Sequence, residues 1–218
     1  MSVYDEKENA NLIANKMWDK QHEHYEREDI TYDNWLDSFE DIINNCQTPI
    51  LDLGCGSGND TLYLIERGKK VIACDYSKNA INNIKNNFPE IMETKCFDLT
   101  KGLPFNDNYS DVIICDLSIH YFTEEITFKV LADIKRVLRD GGHLFLRVNS
   151  TKDVNHGAGE GNEIEHHLYK TEDGRYKRFF DEDDINKFFF DWEKIYIHEE
   201  VMNRYLKEKV LWKLAFKK

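Results

Sequence analysis

The chain has 218 residues, 41% of them hydrophobic and 32% charged, which supplies one core of ordinary domain size and excludes a disordered chain. With 29 basic residues against 41 acidic ones the formal charge is -12, so no nucleic-acid partner is expected. No apolar run approaches the roughly 18 residues of a membrane span and no basic-then-apolar signal opens the chain, so a soluble cytoplasmic protein without membrane contact is expected, as monomer or homodimer.

Leu12, Ile13, Met17 and Trp18 form a partial apolar stripe, and Trp35, Leu36, Phe39, Ile42 and Ile43 a second one near helical spacing. Residues 1–48 therefore read as a helical cap. From Pro49 short apolar runs alternate with amphipathic segments. Ile50–Leu53 is a strand and Gly54–Gly58 a turn. Asn59 or Asp60 caps a helix through Arg67 that Gly68 ends. Val71–Asp75 is a second strand, Ser77 caps a helix carrying Ala80, Ile81 and Ile84, and Lys95–Phe97 ends a third strand. Asp111–Cys115 is the fourth strand. Thr123 opens a helix that closes near Leu138, and His143–Val148 is the fifth strand after the Asp140-Gly-Gly142 stop.

Strands alternating with helices predict an α/β fold: a Rossmann-like, doubly wound, mostly parallel sheet with helices on both faces, cored by residues 49–149. Residues 150–218 add a glycine-rich loop at 157–161, a helix over Glu182–Phe189, and alternating stretches at 195–197 and 210–216 that finish the sheet with an antiparallel C-terminal strand. No low-complexity linker divides the chain, so a single domain over 1–218 is expected. Cys46, Cys55, Cys74, Cys96 and Cys115 are odd in number and lack CxxC spacing, which favours buried reduced thiols over disulfides or zinc. Phe188-Phe-Phe190 reads as core.

The informative segment is Ile50-Leu-Asp-Leu-Gly-Cys-Gly-Ser-Gly58. Glycines after a buried strand let backbone approach a ligand and present amides at a helix N-terminus. Asp75 ends the next strand, 21 residues after Gly54, where a carboxylate can accept ribose hydroxyls. The spacing is GxGxG, with Asn59 where a dinucleotide fingerprint wants glycine, and Asp52 would crowd a pyrophosphate. A carboxylate there suits a ligand bearing an ammonium and a sulfonium.

Asp52-Leu-Gly-Cys-Gly-Ser-Gly58 resembles the first motif of class I S-adenosylmethionine-dependent methyltransferases. The resemblance continues in Asp75-Tyr-Ser77, Cys96-Phe-Asp98, Ser110–Phe122 and Val137–Leu146. It implies S-adenosyl-L-methionine as cofactor, with Asp52, Gly54, Cys55, Gly56 and Gly58 in the loop beneath its methionine and ribose and Asp75 on the ribose hydroxyls. Tyr76 would stand beside the adenine, Asp98 would face its amino group with Phe97 or Leu99 packing on the ring, and Asp116 and Leu117 would approach the methionine end. Met17-Trp-Asp-Lys20 and Tyr25 look like the segment that closes over the cofactor. The tail, in Asp191-Trp-Glu193, Arg204 and Leu211–Lys218, is similar to tellurite-resistance and thiopurine-type methyltransferases.

No Asn-Pro-Pro-Tyr signature follows the fourth strand, where the residues are Asp116-Leu-Ser-Ile119, so a small-molecule acceptor is expected. His120 and Tyr121 stand as candidate catalytic residues, with a structural histidine the competing reading; His156 is a further candidate base. The 156–167 loop reads as a flap over the acceptor or as an ordinary solvated loop, and the acceptor site is expected to have an aromatic wall and few fixed charges apart from Glu160 and Glu163. Glu163 and His167 could serve a metal only if helical, and none is expected. Cys55 reads as packing rather than nucleophilic. A non-catalytic S-adenosylmethionine-binding protein and, behind it, a nicotinamide-dependent oxidoreductase are the alternatives.

Overall fold

Residues 50–53 are buried without interruption, as a strand covered on both faces must be. The computed structural model describes residues 3–22 and 30–218. Helix α1 (Val3–Gln21) and a 3-10 turn (Asn34–Phe39) leading into α2 (Glu40–Asn45) precede β1 (Ile50–Leu53). Next come α3 (Asn59–Glu66), β2 (Val71–Asp75), α4 (Lys78–Asn87), β3 (Glu93–Cys96), β4 (Ser110–Asp116), α5 (Glu124–Val137) and β5 (Leu138–Asn149). The chain ends with β6 (Asn162–Glu165), β7 (Leu168–Lys170), β8 (Tyr176–Arg178), α6 (Glu182–Phe188), β9 (Glu193–Met202) and β10 (Lys209–Lys217).

The main sheet has seven strands in the order β3-β2-β1-β4-β5-β10-β9. β1 through β5 pair in parallel, and β10 runs antiparallel to both of its neighbours, as the alternation at 210–216 predicts. Strand order reverses between β1 and β4, which opens the crevice where ligands of such sheets bind.

Alternate side chains feed the two faces. Leu51, Leu53, Ile113, Leu144 and Leu146 pack with Val130, Leu131 and Ile134 of α5, with Ile185 and Phe188 of α6 and with Phe189 just after it. Ile50, Val112, Ile114 and Phe145 pack with Trp35, Leu36, Phe39 and Ile43, where the Phe39 and Phe145 rings stack at 4.4 Å. Helices therefore cover both faces.

Several local expectations are corrected. Neither Asn59 nor Asp60 caps α3; Gly58 holds that position with φ 97. Asn59 instead accepts from Ser57 Oγ at 2.8 Å, and Asp60 accepts the Trp35 indole N–H at 2.8 Å. Ser77 does cap α4, its Oγ accepting from the Ala80 amide at 3.0 Å. The 156–167 segment is no simple flap: part of it is β6, an edge strand paired with β7, which pairs in turn with β8 in a separate antiparallel sheet. Its Asn-Glu-Ile-Glu sequence lacks alternation because the strand is largely exposed. Phe188 and Phe189 are buried but Phe190 is 74% exposed. Cys55, Cys74 and Cys115 are buried free thiols, while Cys96 is exposed and Cys46 half-buried.

Candidate active site

A cavity of about 500 Å³ opens at the carboxyl ends of β1, β2 and β4, in the size range of small-ligand sites. Asp52, Gly54, Cys55, Gly56, Asp75, Tyr76, Phe97, Asp98, Leu99, Asp116 and Leu117 line it, and His120 and Tyr121 line its far side. Gly58 does not. A Cβ there would meet Ile84 Cδ1 at 2.6 Å and Phe88 Cε2 at 2.8 Å, so its bareness serves helix packing. Gly54 is required by chain crossing: its Cβ would meet Ser118 Cβ at 2.3 Å. Ser118 comes this close because Leu117 turns β4 sharply in the left-handed region, φ 52, a strained conformation for a leucine.

The loop end of the cavity is acidic. Asp52 accepts from Thr61 Oγ1 at 2.6 Å, a partner that sequence reading missed although Thr61 faces β1 one turn into α3. Asp75 accepts the Gly56 amide at 2.9 Å and the Ser77 amide at 2.8 Å, so it also braces the glycine loop. Asp98 caps a 3-10 turn, taking the Thr100 amide at 2.9 Å. Burial first, and then the neighbouring Asp116 and Asp75, push the Asp52 carboxyl up to about 7. Burial likewise raises Asp75 and Asp60. Among the described residues none of these three carboxylates has a Lys or Arg ion pair. A ligand carrying an ammonium and a sulfonium would supply the missing positive charge, so the donor set fits the cofactor implied by the motifs. Cys55 is buried, its thiol pushed well up, and not poised as a nucleophile.

Asp116 stands apart. Both its oxygens are held by Arg147, at 2.7 Å each, and one also by Arg204 at 3.1 and 3.2 Å. Burial pushes Asp116 up, but Arg147 and Arg204 outweigh it and leave it below its ordinary value. Its carboxylate is engaged in this network rather than presented to a ligand.

α1 roofs the cavity. Asp19 accepts from Ser77 Oγ at 2.8 Å and the Asn79 amide at 3.1 Å, sharing the cap of α4. That latch brings Trp18 edge-on to Tyr121, with ring centroids 5.9 Å apart. Tyr25, expected in the same closing segment, lies outside the described residues.

The opposite end is basic, contrary to the expectation of few fixed charges beside Glu160 and Glu163. Arg175, Lys177, Arg204 and Lys209 line it, together with His156, Tyr205 and Asn149. Arg175 and Lys177 alternate with the buried Tyr176 and Arg178, so a period-two reading of Arg175-Tyr-Lys-Arg178 was the available signal. Arg178 clips β8 to the turn after β4: its amide donates to the His120 carbonyl at 2.7 Å and its guanidinium to Glu165 at 2.7 Å. His120 is 2% exposed, and its Nδ1 has no hydrogen-bond partner. Burial, followed by Lys209, Lys177 and Arg175, holds it neutral, well below its ordinary pKa. Tyr121 is pushed up by burial and stays protonated.

The ring nitrogens of His166 and His167 and the carboxylates of Asp181 and Asp184 gather within 4.8 Å of one another. Asp181 and Asp184 already form the capping box of α6, and His167 Nδ1 lies 2.7 Å from Asp184. Glu163 accepts the His167 amide instead of joining that group. Among the described residues no helix is long and apolar enough to cross a membrane.

A profile of the methyltransferase domain matches residues 51–146. The chain is 32% identical over 93 residues to an uncharacterised methyltransferase of Synechocystis sp., covering 43% of each chain. It is 25% identical over 195 residues to a tRNA N(3)-methylcytidine methyltransferase of Schizosaccharomyces pombe, covering 79% of this chain and 76% of that one. The chain thus spans less than half of the first relative and about three quarters of the second. The second relation does not support excluding nucleic acid from net charge, since a total of -12 says nothing of a local basic surface. Among solved structures, the 1,6-didemethyltoxoflavin-N1-methyltransferase of Burkholderia thailandensis, bound to 1,6-didemethyltoxoflavin and S-adenosylhomocysteine, superposes with a TM-score of 0.60 at 19% identity, covering 78% of this chain and 72% of that one. Sheet order, the glycine loop with its flanking acids, and the matched profile converge: residues 51–146 carry a methyltransferase domain, with the features of the class I S-adenosylmethionine-dependent kind.

Proposed function

We propose that the protein moves a methyl group from S-adenosylmethionine to a small-molecule acceptor bound beside His120 and Tyr121. The observation that carries this reading is the single cavity shared by the acidic loop and the His120–Tyr121 turn, roofed by Trp18. Its volume of about 500 Å³ lies in the lower half of the range for small-ligand sites, and a polymer groove would be more open.

When bound, the cofactor supplies an electrophilic methyl group on a sulfonium. Asp52, Asp75 and Asp98 would hold it by charge and hydrogen bonds, while Trp18 and Tyr121 exclude water from the transfer line. His120 is a weak base in this setting, because its burial among cations disfavours taking a proton. Its role is to orient the acceptor through Nδ1 and to accept a proton only where the acceptor is already acidic. His120→Ala is expected to lower kcat by about ten- to a hundredfold and to leave S-adenosylhomocysteine affinity within about twofold. Equal losses in both would make His120 structural.

Cofactor binding is expected to release a proton from Asp52. A carboxyl raised to about 7 is partly protonated near neutrality, and a ligand cation favours its ionised form. S-adenosylhomocysteine affinity should therefore rise with pH below 7, by up to about tenfold per unit, and level off above it. Calorimetry in buffers of different ionisation enthalpy checks this; a buffer-independent heat at pH 6.5 would refute it.

The relation to a tRNA enzyme favours a second reading, methylation of an RNA base. Incubation with methyl-labelled S-adenosylmethionine separates the two. Label entering a low-molecular-weight metabolite fraction supports the first reading, and label entering purified tRNA supports the second.

A further inference from the structure

The cavity is electrically polarised along the sheet. Carboxylates come from the ends of β1, β2 and β3, whereas the cations come from β8 and from the β9–β10 turn on the other side of β4. Most of those cations are already answered. Lys209 is paired with Asp153 at 2.6 Å, Arg175 with Asp173 at 2.7 Å, and Arg204 with Asp116 at 3.1 Å. Lys177 is not. Among the described residues no carboxylate lies within ion-pair distance of its ammonium, which donates to the His156 carbonyl at 2.5 Å and stands 5.2 Å from the Phe179 ring centre. A half-buried cation beside other cations, in direct contact with only a carbonyl and a ring and reached by Asp153 and Glu160 at longer range, is a cost to the fold unless an anion completes it.

A second observation points to the same place. His120 and Asn149 both line the cavity, and the buried Nδ1 of His120 and the side-chain carbonyl of Asn149 have no hydrogen-bond partner. Buried polar atoms are hydrogen-bonded in the great majority of cases, so two orphans on residues that line one cavity point to a ligand there. In its Nδ1–H tautomer His120 is a neutral donor, suited to an anion. The unmatched Asn149 oxygen suits a donor group on the same molecule, such as a hydroxyl or amine.

We propose that the methyl acceptor is a small organic anion whose carboxylate or phosphate is seated on Lys177 beside His120, an inference that rests on the methyl-transfer reading above. The anionic group is a handle and not the nucleophile. It fixes the molecule at the basic end, so that a heteroatom elsewhere on it faces the acidic end and would take the methyl group as the methyl–sulfur bond breaks to leave a neutral thioether, its own proton passing to solvent. The polarity of the cavity gives the orientation: a reversed acceptor would set its anion against Asp52 and Asp75.

Calorimetric titration tests this with acetate, inorganic phosphate, benzoate and phenyl phosphate, and with acetamide and benzamide as neutral controls, each with and without saturating S-adenosylhomocysteine. At least one anion is expected to bind about tenfold or more tightly than its neutral counterpart. The carboxylate and phosphate arms decide which group is seated. Lys177→Met should abolish the preference and Lys177→Arg should retain it, with S-adenosylhomocysteine affinity within about twofold in both. Equal binding of anions and amides, or an anion preference that survives Lys177→Met, overturns the proposal. So does a short RNA that binds through Lys177 where the small anions do not. If the anions bind but S-adenosylhomocysteine does not, the methyl-transfer reading fails and the anion seat stands.

Discussion

Asp75→Ala is expected to weaken S-adenosylhomocysteine binding by about a hundredfold or more while leaving the fold intact. The Asp75 carboxylate takes the amides of Gly56 at 2.9 Å and Ser77 at 2.8 Å, tying the glycine loop to the start of α4. Hydrogen bonds from the two ribose hydroxyls to this charged carboxylate would contribute about 1.5–3 kcal/mol each, so losing both costs about 3 kcal/mol or more, the equivalent of a hundredfold in affinity. The loss falls on binding rather than on folding. Burial raises the Asp75 pKa despite those amides, so without ligand the ionised carboxylate is a net burden to the fold. A group raised in this way adds stability at pH below its unfolded value and loses it as pH climbs through the folded value. Removing it should therefore leave the neutral-pH melting temperature nearly unchanged. Asp75→Asn, which keeps one acceptor oxygen, should fall between the two. Affinity within threefold of the parent would reduce Asp75 to a strand-end residue.

The donor half of the site was legible because its chemistry is local. Asp52 and the glycines share one strand and one turn, and Asp75 ends the next strand, so spacing alone brings them together. What spacing could not convey was the reason for each glycine. Gly54 yields to Ser118, a residue 64 positions later, and Gly58 yields to Ile84 and Phe88. The basic end of the cavity is long-range, and the expectation of few fixed charges missed it. His120 meets Lys177 and Lys209 only because Arg178 clips β8 to the turn after β4 and because β10 returns beside β5. In sequence those cations sit among acidic neighbours such as Glu172, Asp173 and Glu208, whose charges face outward in the fold. Average charge hid a polarised site. The small second sheet escaped for a related reason: its strands are short and half-exposed, and leave no periodic trace.

Arg147→Met is expected to be the most damaging single substitution outside the hydrophobic core, costing about 3 kcal/mol of stability. Arg147 is fully buried on β5 and grips Asp116 through two bonds of 2.7 Å and Asp33 through one of 2.6 Å. Methionine fills similar space but leaves Asp116 buried with only Arg204, at 3.1 Å, to answer it. The sign with pH follows from Asp116. Its pKa is held below the ordinary carboxylate value, so its contribution is full above the unfolded pKa and is lost as pH falls through the folded one. The deficit of the variant should thus be greatest at neutral pH and shrink at acid pH, where Asp116 protonates in the variant. Chemical denaturation at both pH values measures it. Arg147→Lys should recover only part of the loss, since an ammonium cannot reproduce the two-pronged grip. Replacing both partners, as in Arg147→Met with Asp116→Leu, should restore much of it, because an apolar pair removes the stranded charge. That double variant also releases Arg204, and with it the β9–β10 turn that closes the basic end of the cavity. Stability regained without regained methylation would mean that this ion network is kept to hold the acceptor wall in place. A double variant as active as the parent would leave the network a purely structural role.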